Sequence, residues 1–243
     1  MSRTNPQGQT ASKSTLLWSI VIGVVVVAGI VAVVATRSGN DGDTSTTASG
    51  TASGSGVDDD NSDDADDSGE AFPDPRELRP VVVDGAPLTP FEDPTADDSV
   101  GEAAPVLEGV DISDEAMKIG GGGKPTVITF LAHWCPHCQA EVPVLVEWMD
   151  ENGLPEDVDL VGLTTAFDET RGNWPPGEWL AEEGWTLPTM VDPDGAAAEA
   201  YGLTSFPYFV ALDADGNVAA RASGELSTAE FEALIDAARG ASA

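Results

Sequence analysis

Positive charge is scarce in this chain: 10 lysines and arginines stand against 43 aspartates and glutamates, a formal net charge of −33 over 243 residues. So anionic a polypeptide repels phosphate backbones and anionic headgroups, which argues against nucleic-acid binding and against adhesion to an acidic membrane surface. Cysteine is nearly missing as well. With Cys135 and Cys138 alone, no disulfide framework is available, and a structural zinc site, which takes four ligands, usually from two such pairs, lacks its second pair. Histidine is limited to His133 and His137, inside the same six residues, where a mononuclear site built from all four side chains is sterically awkward; no metal is expected. The glycine run Gly120–Gly123 lacks the G-x-x-x-x-G-K-[ST] frame of a phosphate-cradling loop, and the aspartate runs lack an EF-hand pattern.

Long apolar runs are also few. Leu16 to Ala35 (LLWSIVIGVVVVAGIVAVVA) carries no charge and has the length of a membrane-spanning helix. Arg3 and Lys13 precede it and mainly acids follow, so residues 1–15 are expected on the cytoplasmic side and the remainder outside the cell membrane. A cleaved signal peptide is the rival reading, with Val33 and Ala35 before the cut, but the run exceeds a usual signal core. Either way the cysteines are exported, where a disulfide persists. Residues 36–75 are Ser/Thr/Gly-rich and then strongly acidic, a composition that cannot bury enough apolar surface to order itself, and read as a tether. Residues 76–243 remain for a folded domain.

Within that domain one stretch carries chemistry: TVITFLAHWCPHCQAEVP, Thr126 to Pro143. An apolar, β-branched strand runs into Trp134 and Cys135, and a helix begins with Pro136 in its first turn. Cys135 and Cys138 then lie one turn apart with Cα atoms about 5–6 Å from each other, inside the disulfide window. Cys135 sits over the unpaired N–H groups of the helix N-terminus, which favour a thiolate, so it is the expected nucleophile and Cys138 the resolving thiol. His137 is placed to pair with the Cys135 thiolate, unless it is simply an exposed helix-turn histidine. His133 is expected to be solvent-exposed and incidental. Glu141, three beyond Cys138 on the same helix face, is either a buried proton acceptor or a solvated helix glutamate.

The segment FLAHWCPHCQAEVP resembles the active site of thioredoxin-like thiol–disulfide oxidoreductases. The dipeptide Pro136–His137 is similar to that of DsbA-type oxidants. Glu141, two before Pro143, resembles the glutamate that tunes the dithiol in membrane-anchored TlpA/ResA-type reductases of cytochrome c maturation. Thioredoxin carries an acid six residues before its nucleophile, where this chain has Thr129. The resemblance implies that Pro207 is a cis-proline and that Phe206, Trp134 and Pro136 face the substrate chain. It also implies a membrane redox partner of the DsbD/CcdA type, protein thiols or disulfides as substrates, and no organic cofactor. VGEAAPVLEGVDISD loosely resembles the lead-in to TlpA-type domains, which supplies an N-terminal β-hairpin.

The rest of the domain reads as alternating elements. Short strands are expected in Arg79–Asp84 and Ala104–Val110, a second core strand in Asp157–Thr165, and further strands at Leu187–Asp192, Tyr208–Leu212 and Val218–Ala222. Helices are expected at Gly177–Glu183, Ala196–Tyr201 and Ser227–Arg239. Trp174, Trp179 and Trp185 fit local packing rather than a cofactor box. The order implies an α/β thioredoxin fold with a TlpA-type βα insertion and no room for the separate helical domain of DsbA. The expected function is extracytoplasmic thiol–disulfide exchange, with reductant and oxidant directions both open. A metal-handling or redox-silent module on the same scaffold is the alternative of a different class. The oligomeric state stays open.

Overall fold

The structure is a computed structural model describing residues 72–240. The expected membrane helix and most of the expected tether lie outside the described residues. A five-stranded mixed sheet organises the domain. Its strands are β4 (Thr126–Leu131), β5 (Asp159–Thr164), β6 (Thr189–Val191), β7 (Tyr208–Leu212) and β8 (Val218–Ser223), in the order β6-β5-β4-β7-β8. The first three run parallel, and β7 and β8 are antiparallel to their neighbours. A separate antiparallel sheet holds β1 (Val82–Asp84), β2 (Val106–Val110) and β3 (Ala116–Ile119) in sequence order.

Strand alternation divides the core in two. On β4 and β7, Val127, Leu131, Phe209 and Ala211 face one side, where they meet α1 (Pro136–Asn152) and α4 (Thr228–Ala238). Ile128, Phe130, Tyr208, Val210 and Leu212 face the other, against Leu107 of β2 and Tyr201, which follows α3 (Ala196–Ala200). The short helix α2 (Pro176–Glu182) adds Trp179 and Leu180 to the α1 side. Both faces of the central strands are covered, which is why β4 and β7 read as continuous apolar runs rather than alternating ones. This is a thioredoxin-like α/β fold.

Helix α1 begins directly at the end of β4. Its buried side is Cys138, Glu141, Val142, Leu145, Trp148 and Met149, the spacing of one helical face. Pro136 occupies the first turn, where its missing N–H costs nothing. Pro143 lies inside the helix, and Gly153 ends it at a left-handed φ of 73°. Ser227 caps α4 through a reciprocal capping box with Glu230. The loop into β4 uses four consecutive positive-φ residues, Gly120 to Gly123, which explains that run without any ligand.

One expectation changes here, and one buried pair is new. Phe72 to Pro75, assigned to the tether, lie against the domain: Pro75 is buried and the Phe72 ring fills the space over Gly177, so close that a Cβ there would meet it at 2.7 Å. Arg76 joins them, held by Asp74 and Glu169 at 2.5 Å each and lying over the Trp174 ring. Arg221, a lone cation in an alanine-rich strand, is buried; it forms an ion pair with Asp97 and donates to the Thr89 carbonyl at 2.9 Å. That pair ties the stretch before β2 to β8.

Candidate active site

The end of β4 delivers Ala132, His133, Trp134 and Cys135 to the N-terminus of α1. Cys135 is its N-cap residue, in extended conformation, with no side-chain cap of its own. Both cysteines are free, and their surroundings differ. Cys135 keeps 6% of its surface exposed, and its Sγ lies 4.0 Å from the Phe206 carbonyl. Cys138 keeps none, and its Sγ accepts the Ala132 N–H at 3.5 Å. Burial pushes the Cys138 thiol far up, and the neighbouring Cys135 and Glu141 add to the effect. Cys135 thus keeps a small opening to the outside, while Cys138 is enclosed and held protonated.

The Phe206–Pro207 peptide is cis, and the loop carrying it lies beside Cys135. Trp134 stands at the entrance. Its indole N–H donates to the Ala166 carbonyl at 2.6 Å, its ring meets Phe206 edge-on at 6.1 Å, and the Arg171 guanidinium lies 4.0 Å over it. Pro136 follows Cys135 at the exposed start of the helix.

Glu141 is buried at 1% exposure, which decides between its two readings: it is not a solvated glutamate. The Leu226 N–H donates to Oε2 at 3.0 Å, and Oε1 has no partner among the described residues. Desolvation, reinforced by Glu225 and Glu230, raises its carboxyl to about 7. Thr129, at the position of thioredoxin's acid, is buried on β4.

His137 does not take the expected place against the Cys135 sulfur. Its Nδ1 meets Glu225 Oε1 at 2.6 Å, a contact in which both partners stay largely exposed. Glu225 lies 88 residues on, in the turn between β8 and α4, and no local pattern announced it.

His133 corrects a second expectation. It is fully buried, not exposed. Its Nδ1 donates to the Gly172 carbonyl at 2.8 Å, and its Nε2 accepts the Asp168 N–H at 3.2 Å. An acceptor role at Nε2 requires the neutral ring, and burial pulls its pKa down accordingly. Its carbonyl accepts from Gln139 Nε2 at 2.9 Å and Asn173 Nδ2 at 3.2 Å. His133 therefore pins residues 168–173 to the turn that carries the dithiol. With both ring nitrogens engaged, it is withdrawn from any ligand set with the cysteines. Trp174 packs edge-on against it at 5.5 Å, and the Trp174–Pro175 peptide is also cis. Trp179 and Trp185 are core residues, as expected.

Comparison with known proteins gives the class. Residues 99–235, more than half of the chain, match the Redoxin family, and the protein belongs to it. The methylamine utilization protein MauD of Paracoccus denitrificans is 28% identical over 144 residues, covering 58% of this chain and 66% of that protein. A thiol:disulfide interchange protein DsbE homolog of P. denitrificans is 30% identical over 135 residues, covering 55% of this chain and 67% of that protein. The chain thus spans about two thirds of the length of these curated relatives. The crystal structure of StoA from Bacillus subtilis superposes with a TM-score of 0.47 at 21% identity, over 54% of this chain and 96% of that one.

Proposed function

We propose that the protein exchanges disulfides with cysteines of other proteins through Cys135 and Cys138, outside the cell membrane, tethered by residues 16–35. The observation that carries this is the unequal pair of cysteines at one helix terminus beside the cis peptide at Pro207: Cys135 with 6% of its surface open and Cys138 fully enclosed. A relative named for thiol:disulfide interchange supports the same reaction.

In the reducing direction the Cys135 thiolate attacks one sulfur of a substrate disulfide, and the other leaves as a thiolate. A Cys135–substrate mixed disulfide results. Cys138 then gives up its proton and attacks the Cys135 sulfur, which expels the second substrate thiolate and leaves a Cys135–Cys138 disulfide. Two electrons have passed to the substrate. Glu141, one turn along α1 and with a free buried oxygen, accepts the Cys138 proton; a carboxyl of pKa about 7 is suited to taking it and giving it back. A membrane dithiol of the DsbD/CcdA kind, by analogy, returns the electrons.

A net oxidant running the same steps backwards is the second reading, favoured by the Pro136–His137 dipeptide. The placement of His137 on Glu225 weakens it, because the contact that stabilises a reduced-state thiolate goes to a carboxylate instead. A reduction potential near about −120 mV selects the oxidant and near about −270 mV the reductant. Cys135→Ala is expected to abolish insulin disulfide reduction or thiol oxidation, and Cys138→Ala to accumulate mixed disulfides. Full activity in both variants refutes the proposal.

A further inference from the structure

We infer that the groove along the outer edge of β8 takes an extended, cation-bearing segment of the protein whose cysteine reacts at Cys135. This rests on the exchange reaction proposed above and names its substrate class.

β8 closes the sheet with a neighbour on one side only. The Gly224 N–H donates to the Pro207 carbonyl at 2.9 Å, and the register runs Tyr208↔Ser223, Phe209↔Ala222, Val210↔Arg221. Antiparallel alternation then turns the N–H and C=O of Arg221 and Ser223 away from β7. Val218, at the start of the strand, is covered by Gly101 and Glu102 at 2.8 and 2.9 Å. Arg221 and Ser223 have no backbone partner on that side among the described residues. Such an edge is a template for an added strand.

The edge forms the floor of a groove of about 990 Å3, between α4 and the segment at Phe91–Pro94. Ala219, Ala220 and Ala222 line the floor and Ala233 and Ala237 a wall, so a main chain can approach without meeting long side chains. From Ala219 to Ser223 the edge is about five residues long, roughly 16 Å, with the turn at Pro94–Ala96 packed against part of it. Glu92 and Glu230 stand on the rim with no lysine or arginine lining it; Asp236, also there, is answered by Arg239 at 2.9 Å. The inner end meets the redox site, since Ser205 precedes Phe206, whose carbonyl faces Cys135, and the Leu226 N–H holds Glu141. A chain passing Phe206 enters the groove without leaving the surface.

Charge selects the occupant. A second copy brings another −33, and the chain's own stretch from Asp58 to Glu70 carries acids and no lysine or arginine. An acidic rim repels both and attracts a segment with lysines or arginines between small apolar residues.

The test uses the full-length protein and two cysteine peptides, each activated as a thionitrobenzoate disulfide. Their five-residue flanks alternate valine with lysine in one and with glutamate in the other. A thionitrobenzoate disulfide of cysteamine is the small control substrate. At low salt the second-order rate constant for a single turnover of the pre-reduced protein is expected to be about tenfold larger with the lysine peptide than with the glutamate peptide, the gap closing as salt is added. Glu92→Lys with Ala233→Lys is expected to erase the gap with the control rate unchanged. Equal rates for the two peptides, or a gap that survives the double lysine variant, overturns the inference. So does a dimer in sedimentation that Ala233→Lys dissolves, which assigns the groove to a second copy. Failure of the control to react with the unsubstituted protein instead removes the exchange reaction itself.

Discussion

Glu141 and Leu226 are joined by a hydrogen bond in which the Leu226 N–H donates to one carboxyl oxygen at 3.0 Å, while the other oxygen is buried without a partner among the described residues. The raised carboxyl value of about 7, against an ordinary 4.5, fixes the sign of a pH effect. Between about 4.5 and 7 the folded protein holds a proton that the unfolded chain has released, so this group's contribution is full at low pH and lost as pH rises through 7. Glu141→Gln should therefore stabilise the protein at pH 8 relative to pH 4, by an amount of the order of 3 kcal/mol. Urea unfolding at both pH values measures it. The same variant should slow release of the second substrate thiol, read by single-turnover kinetics, without slowing formation of the mixed disulfide.

His133 works in the opposite sense. Its pKa is pulled down by burial, so the stability it supplies is complete above the ordinary histidine value of 6.5 and is lost as pH falls through the lowered folded value. Protonation puts an N–H on Nε2, facing the Asp168 N–H that it now accepts. His133→Ala should cost about 1–3 kcal/mol at neutral pH and speed amide exchange at Asp168. Its stability difference from the unsubstituted protein should shrink on acidification.

Glu225 governs where the His137 imidazole points. Glu225→Gln frees that ring for the Cys135 sulfur and should raise the reduction potential by about 5–20 mV, the scale of one exposed ion pair. In a His137→Pro background, which by itself should lower the potential, the Glu225 substitution should have a smaller effect, limited to its charge on Glu141. A potential unmoved by Glu225→Gln alone removes this pair from the redox argument.

Arg221 and Asp97 form an ion pair with side chains only 1% and 3% exposed. Deleting one partner leaves a buried charge uncompensated, so Arg221→Met should cost about 3–5 kcal/mol, and adding Asp97→Leu should restore part of it. The Asp97 carboxyl is held below its ordinary value by Arg221, so the pair's contribution is present above pH 3.8 and lost as pH falls further. Denaturant midpoints of the three proteins decide.

What the sequence made legible was local. The apolar run of β4, the proline-started helix with its two cysteines, and the amphipathic spacing of Ser227–Arg239 each carry their signal within a few residues. Glu141 was placed on the right helix face by spacing alone. His133 was misread because its ring partners are backbone groups 35 and 39 residues away, and a backbone carbonyl leaves no letter in a sequence. Asn173, at φ 64°, and the Trp174–Pro175–Pro176 stretch were the available hints that this loop is shaped to hold something. Arg221 was missed because its partner lies 124 residues away, in an aspartate-rich run that reads as solvated. Phe72 was lost for a different reason: acidic composition fades gradually, whereas the aromatic ring seated over Gly177 is a discrete event.

The narrow opening over Cys135 sets a rule of reach. Cys135 keeps only 6% of its residue surface exposed and its Sγ lies 4.0 Å from the Phe206 carbonyl, so the proposed exchange needs a cysteine presented on a slender, protruding or still-unfolded chain. In the proposed exchange, a cysteine recessed in a globular partner stays out of reach of Cys135.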